Sequence, residues 1–136
     1  MTALTADRDT VERGDREVSL AVAAATTIYA GSLVCIDAAG NAVPGSTATT
    51  LTAIGRAEEQ VDNAAGAAGD AVIRVRRGVF RFANSAAADA LTAAEVGDTC
   101  FVVDDQTVAK TAGTGTRSIA GTVRGVDALG VWVRFD

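Results

Sequence analysis

Ala71-Val-Ile-Arg-Val-Arg-Arg-Gly-Val-Phe-Arg-Phe82 is the stretch that decides the fold. Side chains on a strand alternate between two faces. Ile73 and Val75 place the apolar face on odd positions, whereas Phe80 and Phe82 place it on even ones, so the phase slips at Arg77-Gly78. A glycine at such a slip supplies the bulge or bend that lets one strand turn a corner or serve two sheets.

The same texture extends both ways from this stretch. Short β-type runs occupy Val18–Val22, Ile28–Ala30, Leu33–Asp37, Ala42–Val43, Leu51–Ala57, Thr99–Val103, Thr107–Lys110, Ser118–Val126 and Val131–Phe135. Turn residues punctuate them at Asp37-Ala-Ala-Gly40-Asn41, Val43-Pro44-Gly45, Asp104-Asp105-Gln106 and Asp127-Ala-Leu-Gly130, which fits hairpin loops between antiparallel neighbours. In the last run Val131, Val133 and Phe135 share one face, and Trp132 and Arg134 share the other. The first set packs on a core. Trp132 and Arg134 either form an interface or lie beneath a second sheet.

Two stretches break the pattern. Thr92-Ala-Ala-Glu95 is a capping-box sequence before Gly97 and predicts one short helix. The segment from Val61 to Gly69 is rich in small residues and reads as a surface loop. The expected architecture is all-β: a small β-sandwich or β-barrel-like domain over residues 18–136, with an extended N-terminal arm over residues 1–17. That arm is polar, mixed in charge and without period. Thr2, Leu4, Thr5, Arg8, Thr10, Val11 and Arg13 are its candidate contact residues. It reads either as a frayed end or as a segment that orders on a partner and meets the entropy cost only at binding.

The chain has 136 residues, about one domain, and only four Phe, one Tyr and one Trp, so the core should be small and rich in valine. Net charge is −5, which supplies no general attraction for phosphate and argues against nucleic acid as a partner. Eleven of the twelve basic residues are Arg, suited to forked contacts with carboxylates on a protein partner. Arg74, Arg76, Arg77 and Arg81 form the densest basic cluster, with Arg74 and Arg76 on one strand face. They either grip an acidic surface or form a solvated face with partners among Glu58 and Glu59.

The apolar run Val18–Ala25 follows four acids and three arginines between Asp7 and Arg16, unlike the basic lead of a secretory signal. No window has the apolar length of a membrane span. The chain is therefore expected to be made and kept in a cytoplasm until it is built into something. Cys35 and Cys100 have no CxxC spacing and read as two reduced core thiols or as one disulfide.

No histidine is present, so the His-based general acid, the Ser-His-Asp triad and the commonest zinc ligand are all missing. Asp104-Asp105 lacks the alternating acids of a calcium loop, and Gly113-Thr-Gly-Thr-Arg117-Ser118 lacks the lysine and spacing of a phosphate loop. No motif nominates a catalytic residue, a metal ligand or a cofactor.

Ile28-Tyr-Ala-Gly-Ser-Leu-Val-Cys-Ile-Asp37, Leu51-Thr-Ala-Ile-Gly-Arg56, Arg77-Gly-Val-Phe-Arg-Phe82, Glu95-Val-Gly-Asp-Thr-Cys-Phe-Val-Val-Asp104, Gln106-Thr-Val-Ala-Lys110, Ile119-Ala-Gly-Thr-Val123 and Gly130-Val-Trp-Val-Arg-Phe135 follow one another behind the polar arm. In this layout the chain resembles the capsid cement, or head decoration, proteins of tailed bacteriophages, over nearly its whole length. The resemblance implies a non-enzymatic virion protein on the outer capsid surface. Its partners would be the major capsid protein and itself, as a homotrimer or a dimer, with no nucleic acid and no membrane. The arm residues named above would be its capsid contacts, and Arg74, Arg76, Trp132 and Arg134 a further interface. Two other readings stand beside it: a different virion β module, such as a tail-tube or head-completion component, and a small enzyme or carbohydrate-binding domain with Tyr29 and Trp132 as its aromatic candidates.

Overall fold

The computed structural model describes residues 2–136. Twelve strands follow in chain order: β1 (Glu17–Ala21), β2 (Thr26–Ile28), β3 (Leu33–Ile36), β4 (Ala42–Pro44), β5 (Thr52–Ala57), β6 (Val61–Asn63), β7 (Val72–Arg76), β8 (Gly78–Asn84), β9 (Thr99–Val102), β10 (Thr107–Ala109), β11 (Ile119–Asp127) and β12 (Gly130–Phe135). They form a closed five-stranded barrel, β10-β8-β12-β11-β9, a five-stranded sheet, β1-β7-β5-β3-β4, and a small β2-β6 ladder. The fold is all-β.

The phase slip at Arg77-Gly78 is the corner between the two large sheets. Gly78 has φ of +145°, a backbone state that L side chains rarely adopt. The chain therefore leaves the open sheet as β7 and enters the barrel as β8. Ile73 and Val75 on one side of the corner and Phe82 on the other are all buried, each in its own core.

Strand β3 shows how the two cores share one wall. Leu33 and Cys35 face the barrel core with Phe82, Val131, Val133 and Phe135. Val34 points the opposite way, toward Val22, Ile28, Ile73 and Val75. A strand buried on both faces reads as an unbroken apolar run, as Leu33-Val-Cys-Ile36 does. Both thiols are free and buried, in the barrel core. Burial pushes the Cys35 thiol up to about 12 and that of Cys100 up to about 11, mainly because a thiolate cannot be solvated there.

The open sheet also curls. Val22, just after β1, bridges Ala42 on β4, and the Ala23 N–H donates to the Ala42 carbonyl at 3.0 Å. One bridge thus joins the sheet's two edges.

Several expectations are corrected by the structure. The loop expected from Val61 onward begins with β6, which pairs with β2. Three residues are too few to display a period, and the segment is fixed by a polar keystone. The buried Asn63 side chain donates to the carbonyls of Ala23 and Ala67, both at 3.0 Å. Strand β10 runs parallel to β8, against the expected antiparallel order, because it fills the last gap in the barrel beside both β8 and β9. Strand β2 sits earlier than the run Ile28–Ala30, and β1 starts at Glu17, inside the span read as arm.

The capping box forms: Thr92 Oγ1 accepts from the Ala94 N–H at 3.2 Å, and Glu95 accepts from the Thr92 N–H at 3.3 Å. It caps a single 3-10 turn, Ala93–Glu95, because Gly97 at φ +96° ends any continuation. A second such turn lies at Ala87–Asp89.

Candidate interaction surfaces

The arm is anchored at the corner. Arg77, between β7 and β8, donates its N–H to the Arg16 carbonyl at 2.7 Å, and its guanidinium pairs with Asp15 at 2.8 Å. Ahead of that anchor residues 2–14 are all exposed, Leu4 and Val11 included, at 71 % and 91 %. Thr2, Thr5, Arg8, Thr10 and Arg13 lie along the same exposed segment. An apolar side chain exposed to that degree offers nearly its whole area to a partner.

Arg74 and Arg76 project from β7 onto the outer face of the open sheet, and both are paired within the chain. Arg74 meets Glu59 at 3.2 Å, and Arg76 meets Glu58 at 3.1 Å and Glu17 at 3.9 Å. The Arg74 side chain holds the Glu59 carboxyl below its ordinary range, by a side-chain hydrogen bond before any other cause. Glu58 also accepts from Arg56 at 2.9 Å, and the Arg56 guanidinium lies over the Phe80 ring, 4.3 Å from its centroid. This chain of contacts ties β7 and β5 of the sheet to β8 of the barrel.

Trp132 and Arg134 project from β12 on the outside of the barrel. Their cross-strand partners on β8 are Arg81 and Val79, in that order. Trp132 is 38 % exposed. Its indole N–H donates to Asp127 at 3.0 Å, and Arg81 lies over its ring, 5.4 Å from the centroid. Asp127 also caps its own turn, accepting from the N–H groups of Leu129 and Gly130. The Trp132 bond, first among these, keeps the Asp127 carboxyl below its ordinary value. Arg134 pairs with Asp136 at 2.9 Å and takes no part in the Trp132 cluster.

The structure thus places Arg74 and Arg76 on one sheet and Trp132 and Arg134 on the other. Arg81, Asp127 and Val79 complete the barrel face and were not singled out from the sequence as its members. The available signal was register: a tight turn at Asp127–Gly130 sets the turn acid beside the indole two residues beyond the turn.

Shallow depressions flank the joint between barrel and sheet. One of about 440 Å³ is lined by Gly31, Arg56, Val79, Phe80, Arg81 and Trp132, among others. Its neighbour, of about 420 Å³, contains Tyr29 and shares Gly31 with it. On another side a groove of about 620 Å³ runs between β5, the start of β11 and the end of β12.

Among the described residues, no group of three or more Cys, Asp or Glu side chains is gathered to hold a metal, and no helix is long and apolar enough to cross a membrane. Comparison with protein-family models, curated proteins and solved structures finds no match to this chain.

Proposed function

We propose that this chain is a structural, non-enzymatic protein of a tailed-phage virion that attaches to the outer face of the assembled head and cements the lattice of the major capsid protein. The observation that carries the reading is the arm. Thirteen consecutive residues, 2–14, stand exposed on a root clamped to the corner of a double-sheet body. Such a segment gains from extended pairing with a partner, because apart from the Thr10 N–H, which reaches the Arg8 carbonyl at 3.1 Å, its backbone can turn to complete a neighbouring sheet edge.

The body supplies the second element. The outward face of β8 and β12 presents Val79, Arg81, Trp132 and Arg134, and Trp and Arg are the residue types that most often anchor protein interfaces. A symmetric oligomer touching several capsid subunits needs only weak contacts per copy, since each bound copy raises the effective concentration of the next. The layout of strand runs behind a polar arm, by which the chain resembles the cement proteins, supports the same reading. A tail-tube or head-completion module would use the same exposed edges to build rings or tubes by itself.

The test is co-sedimentation of purified chain with expanded heads that lack it. Saturation at a stoichiometry matched to the lattice is the expected result. Absence of binding, or self-assembly into tubes without heads, overturns the proposal. A chain lacking residues 1–14 should bind at least tenfold more weakly, and equal binding would shift the contact to the barrel face alone.

A further inference from the structure

Two turns and the barrel face enclose a cleft with Tyr29 at one end and Trp132 at the other. Tyr29-Ala-Gly-Ser32 closes on the bond from the Ser32 N–H to the Tyr29 carbonyl at 3.1 Å. Gly31, with φ of +86°, takes the third position of that turn, where a positive φ favours glycine. The Leu33 N–H donates to the Asp105 carbonyl at 2.8 Å, which sets the turn Asp104–Gln106 beside Ser32. A Cβ on Gly31 would meet no atom within 4 Å. Gly31 is thus a low saddle between the depression of about 440 Å³ at Trp132 and that of about 420 Å³ at Tyr29, each in the size range of small-molecule sites.

Several polar groups of the cleft are not used by the fold. Ser32 is 5 % exposed and lines the depression beside Tyr29, yet among the described residues its hydroxyl has no hydrogen-bond partner. A hydroxyl so buried ordinarily bonds within the protein. The side chains of Asp105 and Gln106 and the phenol of Tyr29, itself 60 % exposed, are likewise uncommitted. At the other end Arg56 is neutralised by Glu58 at 2.9 Å and Arg81 by Asp127 at 3.9 Å. An anion would therefore meet paired guanidiniums at one end and the Asp105 carboxylate at the other. No aliphatic side chain larger than Ala30 lines the Tyr29 half, so an apolar protein segment would have little to bury against there.

We infer that this cleft binds a neutral oligosaccharide. The apolar C–H faces of its rings pack on Tyr29 and on the exposed part of Trp132, whose ring is fixed by its bond to Asp127. Its hydroxyls, each a donor and an acceptor, suit the Ser32 hydroxyl, the Asp105 carboxylate and the Gln106 amide. Tyr29, Ser32, Asp105 and Gln106 lie outside the β8–β12 face proposed for the capsid, so a copy held by its arm keeps that half of the cleft open. The inference concerns the free chain and does not need the proposed attachment to heads.

Trp132 is the only tryptophan of the chain, so its fluorescence reports on this cleft alone. The test titrates the full chain with neutral tetrasaccharides of glucose, galactose and N-acetylglucosamine, and with tetragalacturonate as an acidic counterpart. At least one neutral sugar should give a saturable shift in emission, and tetragalacturonate should give none. Tyr29→Ala should weaken that binding about tenfold, and Ser32→Ala should weaken it less. Gly31→Asn, which keeps a residue tolerant of positive φ and sets a side chain on the saddle, should abolish it, with thermal melts to confirm that each variant folds. Absence of a saturable shift with every neutral sugar overturns the inference, as do tighter binding of tetragalacturonate and sugar binding that Tyr29→Ala leaves unchanged. A chain that saturates heads and binds no sugar sinks this inference alone.

Discussion

The barrel and the open sheet are each built from five strands, yet they close differently. In the barrel every strand has a partner on both sides. In the sheet the two edges meet through one bridge, Val22 to Ala42, and β5 is left half unpaired. The barrel core carries Phe82, Phe135 and both thiols, whereas the sheet core is aliphatic, with Ile28, Ile73 and small valines and alanines. The difference is one of closure: the barrel has no free edge strand, whereas the open sheet keeps an unpaired flank on β5 and carries the arm on β1.

The sharpest challenge to this contrast is a pair of core truncations. Phe82→Ala removes an aromatic wall of the barrel and should cost about 3–5 kcal/mol, and Ile73→Ala about 2–5 kcal/mol. The difference lies in where the damage appears. Phe82→Ala should accelerate amide exchange in both halves, because β3 and β8 link the cores. Ile73→Ala should accelerate it mainly in β1, β5 and β7. Equal exchange patterns would break the contrast.

A smaller effect is expected from glycines at backbone crossings. A Cβ on Gly121 would lie 2.3 Å from the Arg134 carbonyl oxygen, and one on Gly55 would lie 2.2 Å from that of Arg76. Overpacking costs about 1–3 kcal/mol. Gly121→Ala strains the closed barrel and should fall near the upper end. Gly55→Ala should cost as much, since its Cβ would meet the Arg76 backbone at least as closely. Urea midpoints compare the two, and a negligible loss from either would show that its crossing can give way.

The thiols sharpen the same point by pH. Their folded values are raised, to about 12 and about 11, while an unfolded thiol titrates near about 8.5. Folded protein keeps protons that the unfolded chain sheds, so stability is complete below about pH 8.5 and falls as pH rises through the folded values. A loss of about 1–2 kcal/mol per thiol is expected at pH 10. Cys35→Ala with Cys100→Ala should flatten the decline between pH 8 and pH 10. An unchanged slope would contradict it.

The smallest effect is local to the barrel face. Trp132→Phe removes the bond that chiefly depresses Asp127, so that carboxyl should titrate closer to its ordinary value by NMR, with little change in stability. Asp127 contributes stability above about pH 4 and loses it as pH falls through its depressed value, so the unmodified protein's small advantage over Trp132→Phe should be present at neutral pH and shrink in acid. An unshifted carboxyl would remove Trp132 from the cluster.

Much of this division was legible in the residues. The odd-to-even slip around Gly78 foretold a strand serving two sheets, because burial on opposite faces leaves that trace. The alternation in Val131–Phe135 put Trp132 and Arg134 on the face opposite the core while leaving open whether a second sheet covers it, and Thr92 with Glu95 announced their cap. Strand β6 was hidden because Asn63 is held by hydrogen bonds, which leave no hydrophobic period. The parallel seat of β10 depends on barrel closure, a long-range constraint with no local signature. The groove was invisible for the same reason: it exists where strands end out of step, and register between distant strands is not written in either one.

The most direct measurement is the temperature at which DNA is released from packed heads, with and without the purified chain bound at saturation. The cement reading predicts release at a higher temperature from decorated heads, and a return to the bare-head value when residues 1–14 are removed. Release at the same temperature despite saturating, lattice-matched binding would contradict it.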